Sequence, residues 1–205
     1  MLRIFLLSLI SLSTLFSAPI HKAATDGNLK AMQLELTDGI DINLVNKHGQ
    51  TALVLAVYNE HLDMVELLIR KGAKPNVEME NGQTAVFVAA YLGKNKMIMT
   101  LLENGAIINM SDKNGDTPLH KAAEGGSASA IRILLEHGAK IDALNKHKST
   151  SLHYAAQFNN EDAVWALIKA GASNKFVNDE EMTASGIADE EDYGRIVKII
   201  EKYAK

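Results

Sequence analysis

The chain has no cysteine among its 205 residues. No disulfide braces it, no thiol meets an oxidising compartment, and no lipid can be attached through a cysteine. Aromatic residues are scarce at 5%, against 47% hydrophobic residues carried by Ala, Leu and Ile. That balance suits thin helical layers, in which small side chains allow close approach, better than one thick core. The formal net charge is −4 and no long basic stretch occurs, so a nucleic-acid or anionic-membrane surface is not indicated. Catalytic signatures are missing as well: there is no G-x-S-x-G, no P-loop and no G-x-G-x-x-G segment. His48, His61, His137 and His147 lack any H-x-x-x-H or Cys-linked spacing that would hold zinc. The carboxylates at 179–181 and 189–192 lack the residue order of a calcium loop. No cofactor, metal or active site is expected.

What the chain does have is a period. Thr51, Thr84, Thr117 and Thr150 stand 33 residues apart, and Gly72, Gly105, Gly138 and Gly171 keep the same spacing. So do Ala56, Ala89, Ala122 and Ala155, and Leu68, Leu101, Leu134 and Leu167. A fixed period over this much of a chain means that one small unit is stacked. The third full copy reads Gly115-Asp116-Thr117-Pro118-Leu119-His120-Lys121-Ala122-Ala123, which carries T-P-L-H-x-A. From about residue 18 onward the chain therefore resembles an ankyrin-repeat protein. The resemblance implies an all-α solenoid of helix-turn-helix units with short β-turn or hairpin fingers. Repeats are expected at about 18–45, 46–78, 79–111, 112–144, 145–177 and a capping unit at 178–205.

Within a unit the expected order is turn, short helix, loop, second helix and an extended link. Thr51 is placed to cap the first helix of its unit, and Leu53, Ala56 and Val57 share one helical face. Met64, Val65, Leu67 and Leu68 line the second helix, which Gly72 closes as a left-handed C′ residue. Neither helix can bury its apolar side alone, so neighbours must stack. His21, His120 and His153 occupy the fourth motif position, where Val54 and Phe87 stand in other units. The resemblance implies that these histidines bond the Thr of their own motif and serve the fold.

The first residues read differently. Met1-Leu2-Arg3 precedes a mostly apolar, uncharged run from Ile4 to Phe16, then the small Ser17 and Ala18. This is the layout of a secretory signal peptide, and the run is too short to span a bilayer. Cleavage is expected after Ser17, because a cut after Ala18 would place Phe16 at −3 and Pro19 at +1. A buried capping helix is the alternative, and the lack of a polar face weighs against it. Ala18-Pro19-Ile20-His21-Lys22-Ala23-Ala24 matches the motif at 117–123 except at its first and third residues, so cleavage site and repeat phase agree. A Gram-negative periplasm is expected, with secretion as the alternative. The sequon at Asn109-Met110-Ser111 falls on a repeat position expected to be structural.

Ankyrin proteins bind other macromolecules along a concave face made of turn tips and first-helix ends. Here those ends carry Tyr58, Asn59, Tyr91, Leu92, Glu124, Gln157 and Phe158, and the tips add Met79, Asp112, Asp116 and His147. Bulky aromatic side chains are common interface anchors, so Tyr58, Tyr91 and Phe158 are expected to hold a partner, with Asp112 and Asp116 tuning its on-rate. On the outer face Trp165 stands where other units have Glu66, Met99 and Arg132. It either joins Met99 in a second contact or folds onto Phe176. The chain is also similar to periplasmic self-protection ankyrin proteins of bacteria. That likeness implies a non-catalytic monomer that docks on an exported enzyme, foremost a cell-wall endopeptidase or other peptidoglycan hydrolase, and inhibits it. A stabilising partner of another exported enzyme and a secreted host-directed effector are the alternatives.

Overall fold

The computed structural model describes residues 18–204, so the expected signal peptide at 1–17 lies outside the described residues. Two compact units divide the chain at Glu80 and Asn81. The first contains α1 (Pro19–Thr25), α2 (Leu29–Thr37), α3 (Ala52–Tyr58) and α4 (Leu62–Arg70). In the second lie α5 (Ala85–Tyr91), α6 (Asn95–Glu103), α7 (Pro118–Glu124), α8 (Ala128–Glu136), α9 (Ser151–Gln157), α10 (Glu161–Lys169), α11 (Ala184–Glu190) and α12 (Gly194–Tyr203). Odd-numbered helices pack on odd and even on even: α1 on α3 and α2 on α4 in the first unit, α5-α7-α9-α11 beside α6-α8-α10-α12 in the second.

Local chemistry sets each boundary. The Thr51 hydroxyl accepts the Val54 N–H at 3.3 Å, and Thr183 accepts the Gly186 N–H at 3.1 Å, satisfying donors that have no partner inside the helix. Asn28 and Ser127 cap the second helices α2 and α8 in the same way. The second helices α2, α4, α6, α8 and α10 close through glycine: Gly72 has φ 88°, and the following Ala73 N–H reaches back to the Leu68 carbonyl at 3.0 Å. An L side chain is strained in that left-handed conformation, which is why glycine recurs there.

These helices of seven to ten residues would be unstable alone and are held by their buried faces. Leu53, Ala56, Val57, Met64, Val65, Leu67 and Leu68 are buried as expected, and Leu134 is fully buried. Packing is closest where α7 ends: a Cβ on Gly125 would overlap the Tyr91 carbonyl oxygen, so only glycine lets α7 approach α5 there.

Between units of helix the chain forms turns, and no strand occurs among the described residues. The fingers are turns rather than hairpins. Single backbone rungs join neighbouring tips, Lys113 N–H to Asn81 at 3.0 Å, Lys146 to Asn114 at 2.9 Å and Asp179 to His147 at 3.0 Å. One bond per neighbour is too few for a sheet ladder, because the stacking helices already set the spacing.

Candidate protein-binding surface

The expected contact residues separate into exposed and buried sets. In the first unit Tyr58 is 56% exposed at the end of α3, Asn59 beside it is exposed, and Met79 is half-buried in a tip. In the second unit Tyr91 and Phe158 are each 48% exposed, Gln157 is exposed, and Leu92 is half-buried. Three large aromatic side chains thus stand in water at first-helix ends, where stacking does not use them. Met99 on the outer side of α6 is also exposed.

Asp112 and Asp116 correct the sequence reading, since both are buried. Asp112 Oδ1 accepts the N–H groups of Asn114 and Asp116 at 2.9 and 3.0 Å, closing its own turn, and Oδ2 accepts from Gln83 Nε2 at 2.9 Å. Asp116 receives Asn145 Nδ2 at 2.7 Å, the Tyr154 hydroxyl at 2.8 Å and the Lys121 ammonium at 3.1 Å. Burial by itself would raise the Asp116 pKa, and the bonds from Asn145, Tyr154 and Lys121 overcome that, holding the carboxyl below its ordinary range. Charges occupied this way cannot steer a partner from the surface.

Their work is to position other side chains. Tyr154, missed in the sequence reading, is pinned by its hydroxyl to Asp116 and carries three neighbours on its ring. His120 meets it edge-on at 5.4 Å, Phe158 lies tilted at 6.3 Å, and Lys121 Nζ sits 5.6 Å from its centroid. Burial and the facing carboxylate push the Tyr154 phenol far above its ordinary pKa. Lys121 is shared between Asp116 and the half-buried Glu124 at 2.8 Å. Burial would lower its pKa, but those two carboxylates raise it, so it remains charged. Asn160 completes the frame by donating Nδ2 to the carbonyls of Ala123 and Glu124 at 2.9 and 2.8 Å. Exposed Phe158 is therefore the outer edge of an ordered polar and aromatic cluster. The available signal was positional: Lys121 and Tyr154 fill the place held by Leu55 and Val88 in other units.

Beside this cluster a shallow groove of about 220 Å³ is lined by Asn145, His147, Ser149, Tyr154, Gln157, Asn178, Asp179 and Glu180. His147 is exposed at its rim, with Nδ1 3.6 Å from Asp179, and Lys148 lies 3.4 Å from the same carboxylate. Exposed pairs of this kind contribute little to stability.

Trp165 follows neither expectation. It is half-buried against Tyr203 of α12, ring centroids 4.9 Å apart, with Lys169 Nζ 5.5 Å from its ring. The C-terminal helix supplies an aromatic cover that spacing within one repeat could not disclose.

The motif histidines serve the fold. Thr117 and Thr150 donate their N–H to Nδ1 of His120 and His153 at 3.1 and 3.0 Å, while the Nε2 atoms lie 3.1 and 3.2 Å from the carbonyls of Ser149 and Met182. A nitrogen that accepts an N–H carries no proton, so each ring is neutral with its proton on Nε2. Burial lowers both pKa values and keeps the rings in that form. Among the described residues no three His, Cys, Asp or Glu side chains converge as a metal site.

Paired short helices, odd packed on odd and even on even within each unit and joined by capped turns, define a helical-repeat protein. The family model for ankyrin repeats (three copies) matches residues 20–112 and 97–181. The chain belongs to the ankyrin-repeat family, whose members are generally non-catalytic scaffolds for protein interaction. Its likeness to individual proteins is short. A 46-residue segment, 22% of this chain, is 42% identical to the Notch-regulated ankyrin repeat-containing protein of Xenopus tropicalis, covering 40% of that protein. The Homo sapiens protein of that name is 40% identical over the same length, again 22% of this chain and 40% of that protein. A 52-residue segment, 25% of this chain, is 40% identical to a "Probable E3 ubiquitin-protein ligase" of Oryza sativa subsp. japonica, covering a tenth of it.

Proposed function

We propose that this ankyrin protein is exported, docks on an exported enzyme and restrains it, with peptidoglycan hydrolases the foremost targets. The observation that carries the docking is the set of exposed aromatic side chains at first-helix ends, Tyr58, Tyr91 and Phe158. Large rings exposed without a role in stacking are the side chains that anchor interfaces. Phe158 also has an ordered support, since Tyr154 beside it is tied to buried Asp116. A prearranged contact loses little conformational entropy on binding, which favours a blocking partner that covers a cleft. Export rests on the leader-like composition of residues 1–17, and the periplasm is the compartment in which a cell-wall hydrolase would need restraint.

The test is capture from a soluble envelope extract by the intact protein and by its Tyr58→Ala, Tyr91→Ala, Phe158→Ala triple variant. We expect a cell-wall hydrolase to be retained by the intact protein alone and to lose activity while held. The variant should melt within a few degrees of the parent, since exposed side chains contribute little to stability. A captured enzyme whose activity rises would replace restraint by stabilisation. Equal capture by both proteins would overturn the aromatic surface.

A further inference from the structure

One buried polar atom in the first repeat lacks the partner that its counterparts have. His21 is 1% exposed and its Nδ1 has no hydrogen-bond partner, while Nε2 lies 2.9 Å from the Leu44 carbonyl oxygen. The Nε2 contact places the ring proton there, leaving Nδ1 as a bare acceptor facing the start of α1. In His120 and His153 the same atom is doubly engaged: the Thr N–H donates at 3.1 and 3.0 Å, and the Thr hydroxyl lies 2.9 and 2.8 Å away. The residue equivalent to those threonines is Ala18, which has no hydroxyl and makes no side-chain cap.

The backbone of Ala18 explains why its own N–H does not substitute. Its ψ of 149° resembles the 168° and 171° of Thr117 and Thr150, and ψ sets where the nitrogen sits relative to the helix. Its φ is −55°, against −101° and −96° at the two threonines, and φ sets where a single amide hydrogen points. The nitrogen is therefore placed much as theirs are, with its amide hydrogen rotated by about 40–45° from the direction theirs take. A primary amine at that nitrogen has no such restriction, because its hydrogens rotate about the N–Cα bond.

We propose that the chain is processed between Ser17 and Ala18, and that the released α-amino group of Ala18 is the missing donor to His21 Nδ1. This rests on the export reading above. A leader peptidase would add water across the Ser17–Ala18 amide: the Ser17 carbonyl carbon takes the hydroxyl as a carboxyl group, and the Ala18 nitrogen takes the proton. At neutral pH most of the amine is an ammonium, whose three hydrogens serve Nδ1 and solvent together, as the half-buried position of Ala18 allows. The positive end of a seven-residue helix opposes that charge weakly, and a charge-assisted bond to a buried nitrogen outweighs it. One amine thereby replaces the N–H and the hydroxyl that a threonine supplies in later repeats.

The full chain, exported by a Gram-negative host and purified, tests this in two steps. Intact mass and N-terminal sequencing should give Ala18-Pro19-Ile20 at the start. Selective acetylation of the α-amine near pH 6.5, where lysines are protonated, should then lower the melting temperature by about 2–4 °C. In a His21→Val protein the same acetylation should change it by less than about 1 °C, and buried Val54 at the equivalent position indicates that valine is accommodated there. Imidazole ¹⁵N spectra of the wild-type protein give an independent readout, in which acetylation moves His21 Nδ1 and leaves His120 and His153 in place. A product that still begins at Met1 overturns both export and this pairing. Cleavage at another bond leaves export standing and overturns the pairing. An Ala18 terminus whose acetylation moves neither the melting temperature nor the His21 signal overturns the pairing alone.

Discussion

Helix α5 and its neighbours α7 and α9 follow the same path by different means. At α5 the motif is Thr84-Ala85-Val86-Phe87-Val88, and Phe87 is the largest fully buried side chain there. The Thr84 hydroxyl is buried with no hydrogen-bond partner. At α7 and α9, histidine replaces that phenylalanine, bonds the threonine before it and reaches a carbonyl in the next tip. Asp116, Lys121 and Tyr154 then extend hydrogen bonding toward the surface, where α5 offers only Val88. One solution fills volume and the other satisfies polar groups. The first is indifferent to pH and unforgiving of lost volume; the second depends on protonation and holds an exposed aromatic side chain in place.

Four variants would break or sharpen this contrast. Phe87→Ala should have the largest effect, a loss of about 3–5 kcal/mol by chemical denaturation that stays constant with pH. A loss under about 1 kcal/mol would mean that the apolar half is not held by packing at this site. Asp116→Ala removes the carboxylate that accepts from Asn145 and the Tyr154 hydroxyl and leaves Lys121 with Glu124 alone, and it should cost about 2–4 kcal/mol. It should also weaken partner capture through Phe158 more than an equally destabilising change at α5.

The histidines supply a pH signature. Folding depresses the pKa of His120 and His153 below the ordinary 6.5, so the unfolded chain takes up protons that the folded chain refuses. Stability should be constant above about pH 6.5 and fall below it, by at most about 1.4 kcal/mol per pH unit for each ring. His153→Phe, which copies the choice made at α5, should remove one ring's share of that slope. Asp116, depressed below 3.8, adds a further loss only as pH falls below that value. An unchanged slope in the phenylalanine variant would refute the role given to His153. The smallest effect concerns the tips. Lys148 has φ 56° where the tips before α5 and α7 carry Gly82 and Gly115, so Lys148→Gly should stabilise by up to about 1 kcal/mol.

Much of this architecture was legible before any coordinates. The 33-residue beat located Thr51 as a cap, Gly72 as a helix terminator and Leu134 as core, because each of those roles depends on neighbours a few residues away. The candidate surface was legible in part. Tyr58, Tyr91 and Phe158 are exposed as their helix-end positions implied, whereas Asp112 and Asp116 were misassigned. An aspartate in a turn tip faces water or a neighbour depending on what the next repeat presents. For Asp116 that meant Asn145 and Tyr154, 29 and 38 residues further on. Trp165 met Tyr203 for a similar reason, across the last pair of second helices.

Sequence alone thus determined the repeat, the Thr51 cap and Gly72 terminator, the buried apolar faces and the family, since short-range caps and periodic burial require only local spacing. Tertiary structure alone decided which tip carboxylates became buried acceptors and which ring supports Phe158. It also left His21 with an empty acceptor. Those outcomes depend on pairs of atoms brought within about 3 Å of each other by stacking, a distance at which one neighbouring side chain determines whether a polar group is satisfied.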